Sequence, residues 1–507
     1  MISVTGFEKI LTSASRPLFF YIVVFLVGFI PLFYNLGGPV LNHWDESRNA
    51  AMAFEMLHNG DLIVTHYDGE PEMWGTKPPL LIWTQALCFK AFGFSEFALR
   101  FPVAVSAMLL AMLLLWFCGT YFRSYLLGLV SALILFTTTA IISVHGARSG
   151  DYDLPLILFT TASILFLFLS TEHGGTKEGK RYILLFFIAF TLAVLTKGIA
   201  AFLLAPGMLV YLLISKNLLA WLKSRNFWIG LALLLILFGG YYLLREIRNP
   251  GYFRAVLENE MTGRYFETLE ENEGPFIYYI RGIYQWRFRD WFYLVPIGVL
   301  LGYWTKDRKV TRFLNLSLVV TALYILIISA SKTKLEWYDL PVYPFLIIMA
   351  ALFFHIVLTG MKGENSVIAS GWGRTLVTAA LLFFFFITPY YHVFKQNRDE
   401  TAFRQDETYR FSHYLRGLRG QMTGGSLLNV IQEGDKQQYL FYFYRLEEDG
   451  AEINLVDPAN ISEGRQYIVH QPEVLERLQL NPHLQIEALS DGIFSVTLDD
   501  QLPGDTR

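Results

Sequence analysis

A carboxylate, an arginine and a lysine share one short polar stretch in a chain otherwise dominated by apolar runs. The stretch opens with His43-Trp44-Asp45-Glu46-Ser47-Arg48 and continues to Thr76-Lys77-Pro78-Pro79-Leu80. A carboxylate of this kind can take a proton from an attacking hydroxyl. A lysine nearby can hold an anionic group such as a lipid phosphate. Each also has a plainer reading. Asp45 starts a run with helical spacing (Ala50, Ala53, Phe54 and Leu57 fall on one stripe), where a carboxylate caps free backbone N–H groups. Lys77 can reach along an apolar surface to keep its ammonium in water.

These residues must be held by whatever the apolar runs form. The chain has 507 residues, of which 53% are hydrophobic and 17% charged, with mean hydropathy +0.37. A soluble domain carries about 25% charged residues. Long stretches here carry no charge, and a bilayer core needs roughly 20 apolar residues per helix. The runs at 17–36, 98–119, 125–144, 154–171, 182–196, 198–215, 226–244, 291–304, 312–331, 338–359 and 374–391 predict an α-helical polytopic membrane protein with about eleven spans. Pro78 to Phe92 adds an apolar helix that suits the headgroup plane, with the two prolines at its start. Residues 1–394 are expected to form the membrane domain. Residues 395–507 are polar with short apolar bursts and Gly or Asp-Gly turns, which predicts a small α/β domain, with a helix over 400–418.

Charge sorts the loops. With the N-terminus inside, the short inner loops hold Arg123; Lys177, Lys180 and Arg181; Lys216, Lys223 and Arg225; Lys306, Arg308, Lys309 and Arg312; and Lys362 with Arg374. That density in short loops fits the positive-inside rule. The outer loops also carry cations, including Arg48, Lys77, Arg100, Arg148, Lys197, Lys332 and Lys334. An anionic ligand on that side accounts for them. The C-terminal domain then lies outside. A net charge of −3 gives no case for nucleic acid, and Cys88 with Cys118 offers neither a disulfide framework nor a metal ribbon. Lys9 and Arg16 precede the first apolar run with no small-residue cleavage pattern after it, which favours an uncleaved first span.

The stretch Asp45-Glu46-Ser47-Arg48, Glu55-Met56, Asn59-Gly60-Asp61, Lys77-Pro78-Pro79-Leu80, Gly93, Glu96 and Arg100 resembles the bacterial aminoarabinose transferases of lipid A and the related protein O-mannosyltransferases, within the GT-C superfamily of glycosyltransferases. The resemblance continues at His145-Gly146-Ala147-Arg148-Ser149-Gly150-Asp151, at Thr196-Lys197-Gly198, at Ser331-Lys332-Thr333-Lys334-Leu335 and at Tyr338-Asp339-Leu340-Pro341-Val342-Tyr343-Pro344. It covers about residues 15–360 in consistent order. It implies a GT-C-like fold and a polyprenyl-phosphate sugar as donor. The acceptor would be a glycolipid such as lipid A, a glycan or a protein, reached at the periplasmic face of the bacterial inner membrane. In that scheme Asp45 is the base, and Asp151 and Asp153 supply the second acidic group. Arg48, Lys77, Arg148, Lys197, Lys332, Lys334 and Tyr338 serve the donor and its phosphate.

The chain departs from the resemblance in two places. Thr76 stands where those transferases carry Glu before Lys-Pro-Pro, and residues 245–290 contain no His. Both changes fall on their metal site, so no structural zinc of that kind is expected. His43, Glu46, Asp151 and Asp153 remain candidates for a weaker hard-cation site. The outer segment 245–290 is expected to cover the cavity. A transporter or flippase of lipid-linked saccharides is the rival reading. Transporters place ionisable groups at the midplane, whereas these spans are nearly charge-free with the charges at one rim.

Overall fold

The computed structural model describes residues 17–262, 272–360, 371–398, 406–422, 425–434 and 436–498. Helices dominate, as they must where lipid offers the backbone no hydrogen bonds. Among the described residues, seven helical stretches are long and apolar enough to cross a membrane: Glu96–Tyr121, Asp153–His173, Lys177–Ile214, Arg225–Arg248, Arg308–Ala330, Glu336–Thr359 and Leu376–Arg398. Pro17–Phe33, Leu80–Phe92, Tyr125–Phe136 and Leu294–Trp304 are shorter apolar helices. The chain is a multi-pass membrane protein. Local signals set the starts. Ser95, Ser124 and Thr176 each accept a backbone N–H three residues on, at the heads of the helices that follow them.

The stretch Lys177–Ile214 folds back on itself. Gly198 (φ 55°) ends the helix at Lys197, and a 3-10 turn over Gly198–Leu204 leads into Ala205–Ile214. Lys180 and Asn217 consequently line one small hollow at the same end of the molecule. A side chain at Gly198 would meet the Tyr242 hydroxyl at 2.9 Å and Pro78 at 3.3 Å, so glycine serves both the turn and the close approach. Gly298 does the same for packing: a Cβ there would lie 2.0 Å from the Met349 carbonyl oxygen, which lets Leu294–Trp304 press against Tyr343–Gly360.

One expected span needs correction. The run 125–144 is helical only to Phe136, with a separate turn at Thr139–Ile142. The Thr137 and Thr138 hydroxyls bond back to carbonyls of the preceding turn and compete with its continuation. Residues 143–152 are thereby released as a loop. The outer segment 245–290 is largely helical where it is described. It holds helical turns at Tyr252–Val256, Leu257–Thr262, Tyr278–Gly282 and Ile283–Arg287; residues 263–271 fall outside the described set.

The ionisable loops gather at two ends. At one, Arg312 pairs with Glu172 at 3.1 Å, Tyr121 donates to Glu172 at 3.0 Å, and Lys309 donates to the Tyr121 carbonyl. At the other stand Asp45, Lys77, Asp153, Lys197 and Tyr338. Lys9, Arg16, Lys362 and most of the expected helix before Glu407 lie outside the described residues.

The C-terminal portion forms a five-stranded mixed sheet in the order Glu452–Val456, Leu427–Ile431, Gln466–Val469, Ile493–Leu498, Leu484–Ser490. The first two pairings are parallel and the last two antiparallel. The apolar burst at Tyr439–Tyr444 belongs to a helix, Gln437–Glu448, that packs on Asp45–Asn59. Tyr444 donates to Glu55 at 2.9 Å, Arg445 pairs with Glu96 at 2.7 Å, the Leu41 amide donates to the Tyr442 hydroxyl, and Phe441 lies 4.4 Å from Phe94. This portion clamps the segment that carries Asp45.

His470 makes the clamp acid-sensitive. Its ring stacks on Phe411 at 3.9 Å and its Nε2 is 3.0 Å from the Gln432 amide oxygen. Burial pushes the imidazole from 6.5 down to about 3. The folded pKa is depressed, so the neutral ring is what folding holds. Its contribution is intact above pH 6.5 and is lost as pH falls below that, by about 1.4 kcal/mol per unit. Between pH 7 and 5 the sheet should lose about 2 kcal/mol. Hydrogen exchange in Gln466–Val469, corrected for its intrinsic pH dependence, should speed accordingly, and His470→Gln should remove that acceleration.

Candidate active site

Two residues with left-handed φ bracket the site. Trp44 has φ 67° and His145 φ 59°. Bulky residues adopt such values at a cost of order 1–3 kcal/mol, and they persist where the surroundings force them. Trp44 occupies the capping position of Asp45–Asn59 with no side-chain cap bond. Asp45 is therefore the first helical residue and not its cap. It is half-exposed and lines a cavity that opens to solvent.

Lys77, Asp153, Lys197, Tyr338 and Trp337 share that cavity, and Leu203, Ile327 and Ile328 give it an apolar wall. Lys197 Nζ is 2.6 Å from Asp153 Oδ1, an ion pair between the end of one helix and the start of another. Lys77 lies 5.4 Å above the Tyr152 ring, and among the described residues no carboxylate is within ion-pairing distance of it. Glu260, from the turn Leu257–Thr262, closes one side, so the outer segment does reach the cavity.

His145 joins the acids. Its Nε2 is 3.9 Å from Asp45 Oδ2, while its Nδ1 is 3.5 Å from both Asp151 Oδ2 and Asp153 Oδ2. Its ring stacks on Trp337 at 3.5 Å. Burial opposes charging the imidazole, but Asp151, Asp153 and Asp45 outweigh it and hold the ring above its ordinary value. Burial pushes Asp151 up to about 6 against the pull of His145. One donor atom each from Asp45, His145 and Asp151 lie within 4.8 Å of one another, an oxygen–nitrogen–oxygen set that suits a divalent cation. The set considered from sequence differs: His43 is exposed, and both oxygens of Glu46 are already engaged.

Glu46 is the residue that sequence reasoning undervalued. Its Oε1 accepts from Arg100 Nε and the Gly150 amide at 2.7 Å each, and its Oε2 accepts from the Asn42 amide and side chain. It ties the Asp45 helix to the loop that carries His145 and Asp151. Adjacency to Asp45 and the downstream Arg100 were the only available signals, and neither reports a contact across 54 residues. Glu46→Gln should leave Arg100 buried without its full counter-charge and cost about 3 kcal/mol, read as a fall in the unfolding temperature of the purified protein.

Four expected phosphate ligands lie elsewhere. Arg48 pairs with buried Glu72 at 2.5 Å and covers the Tyr67 ring, which braces residues 66–75. Glu72 is held below the usual carboxylate range because Arg48 and the Trp74 and Gly75 amides outweigh its burial. Arg148 donates to carbonyls at the end of Pro17–Phe33. Lys334 is buried and donates to the Ile328, Ser329 and Ser331 carbonyls, which closes the end of Arg308–Ala330. Lys332 is exposed and does not line the cavity. Of the named residues the structure brings Asp45, Lys77, Asp153, Lys197 and Tyr338 to one hollow, with Asp151 behind His145. Trp337 and His145 join them as residues given no role from sequence.

Known proteins resemble this chain to different depths. The family model described as dolichyl-phosphate-mannose-protein mannosyltransferase matches residues 76–242. An uncharacterized protein of Aquifex aeolicus is 28% identical over 365 residues, 72% of this chain and 70% of its own. The undecaprenyl phosphate-alpha-4-amino-4-deoxy-L-arabinose arabinosyl transferase of Aeromonas salmonicida is 27% identical over 364 residues, 69% of this chain. The match spans 62% of that transferase's length. Among solved structures, ArnT from Cupriavidus metallidurans bound to undecaprenyl phosphate superimposes with a TM-score of 0.68 at 18% identity, covering 96% of this chain and 98% of ArnT. The Archaeoglobus fulgidus oligosaccharyltransferase gives 0.53 at 11% identity over 87% of this chain and 64% of its own. The chain thus has the fold of the GT-C integral-membrane glycosyltransferases and resembles, within that superfamily, the bacterial aminoarabinose transferases.

Proposed function

We propose that this protein transfers a glycosyl group from a polyprenyl-phosphate-linked sugar to a hydroxyl or phosphate acceptor, on a glycolipid such as lipid A, a glycan or a protein. The carrying observation is one cavity that joins a half-exposed carboxylate, Asp45, to an ammonium, Lys77, with no acidic partner among the described residues, beside an apolar wall. A long isoprenoid would lie on that wall with its phosphate at Lys77. Asp45 would take the acceptor proton as the acceptor oxygen bonds to the anomeric carbon. The bond from that carbon to the phosphate oxygen would break on the opposite face, with inversion. The lipid phosphate would leave with its growing charge stabilised by Lys77, and by Lys197 behind Asp153. The relatives named as undecaprenyl-phosphate arabinosyl transferases support the donor class. If a divalent cation is bound, Asp45, His145 and Asp151 would hold it, and it would supply positive charge beside the acids. Dense cations in the short loops at the far end support a periplasmic site in the bacterial inner membrane.

Proteoliposomes loaded with a polyprenyl-phosphate sugar and an extract of acceptor glycolipids test the reading. A new glycosidic bond, seen by mass spectrometry, is the expected result. Movement of the lipid-linked sugar across the bilayer without a new bond would replace it with the flippase reading.

A further inference from the structure

Behind the loop that presents His145 lies a second cavity, open to solvent. Asn42, Ser143, Arg148, Gln396 and Asn397 line it, with Arg100 in its wall. Ser143 and Val144 face this cavity while His145 faces Asp45, so one short segment separates the two hollows.

The charges here do not balance. Arg100 is fully buried and is matched by Glu46 at 2.7 Å. Arg148 stands beside it, and among the described residues no carboxylate lies within ion-pairing distance of its guanidinium. Its bonds are to main-chain carbonyls only: Asn35 at 3.0 Å, with Pro31 and Leu32 at a long 3.4 Å. Those carbonyls close Pro17–Phe33, whose dipole offsets part of the charge. Burial, with Arg100 adding to it, still pushes Arg148 down to about 10. Arg148 is half-buried at the cavity, and a cation that has lost much of its water gains from an anionic partner. Across the hollow stand the half-buried Ser143 hydroxyl and the exposed Gln396 amide, both open to a ligand from solvent. The cavity also lies where Pro17–Phe33 and Gly371–Arg398 end, and exposed Tyr34 and Tyr391 on the same two ends suit headgroup depth.

We propose that this second cavity is a phosphate-ester site, separate from the cavity of Asp45, in which Arg148, Ser143 and Gln396 hold the phosphate of a bilayer lipid headgroup or free phosphate. The missing counter-ion is the ligand. The site does not depend on the glycosyl-transfer reading, since neither Asp45 nor Lys77 lines it.

The test uses the full chain, delipidated in detergent. Native mass spectrometry measures retention of added phosphatidylglycerol against diacylglycerol, and thermal unfolding is followed with inorganic phosphate. The double variant Ser143→Ala with Gln396→Ala leaves the Arg148 contacts to the helix end in place, so it separates a binding role from a capping one. We expect one tightly retained phosphatidylglycerol, no such diacylglycerol, and affinity about tenfold weaker in the double variant. Arg148→Met should abolish retention. Lipid retention that inorganic phosphate does not compete away assigns the headgroup; protection by phosphate without lipid retention assigns the free ion. Binding in the wild type that the double variant and Arg148→Met leave unchanged would overturn the site, as would no binding of either probe.

Discussion

Replacing Asp45 by Asn should cut glycosyl transfer by about 10²–10⁴-fold while the protein inserts and unfolds as the wild type does. The magnitude is that of losing a general base: the amide keeps the size and place of the carboxylate but cannot take the acceptor proton. The fold should tolerate it because the side chain is half-exposed, so no dry hole and no stranded buried charge results. His145 loses its most distant acid and keeps Asp151 and Asp153 at 3.5 Å. Single-turnover transfer with a saturating polyprenyl-phosphate sugar reads the chemical step directly. Near-normal rates in that variant would remove Asp45 from the role, and the base would have to be sought behind it.

Lys77→Met is the second large effect, and it should differ in kind from Lys197→Met. Lys77 has no acidic partner among the described residues, so methionine replaces its stem without stranding a charge. Transfer should fall about 10²–10³-fold, the usual loss when one preorganised donor to a developing anion goes. Stability should stay within about 0.5 kcal/mol. Lys197 instead neutralises Asp153, which is buried. Its removal should destabilise the protein by about 3–5 kcal/mol, through a buried acid without its partner. Calorimetry on both variants, with affinity for the bare polyprenyl phosphate, separates the two roles. Equal affinity in Lys77→Met and wild type would mean that the leaving phosphate is held by another group.

Asp45 and Lys77 could be picked out because they sit in the first outer stretch, next to prolines and a helical stripe that fix their depth. Arg48 and Arg148 could not be excluded from the same reasoning. A cation in an outer loop looks alike whether it meets a ligand, a glutamate or the last carbonyls of a helix. His145 was visible only as a letter in a motif. Its stacking on Trp337 joins residues far apart in the chain, and nothing in either neighbourhood announces the other. The C-terminal strands were legible as short apolar bursts between turns. Tyr439–Tyr444 was left open between strand and helix, because a brief apolar run suits a strand and a buried helix face equally.

The chain's own order of residues determined that it lives in a membrane, where most of its helices run and which loops carry its acids and cations. Those follow from hydropathy, helical period and loop charge, which are local. Only the tertiary structure decided which charges cancel inside the protein and which are left facing a cavity. Pairs such as Arg100 with Glu46, Arg287 with Asp339 and Arg445 with Glu96 form between distant segments. A charge's function depends on whether such a partner is within reach, and that distance is a property of the packed helices alone.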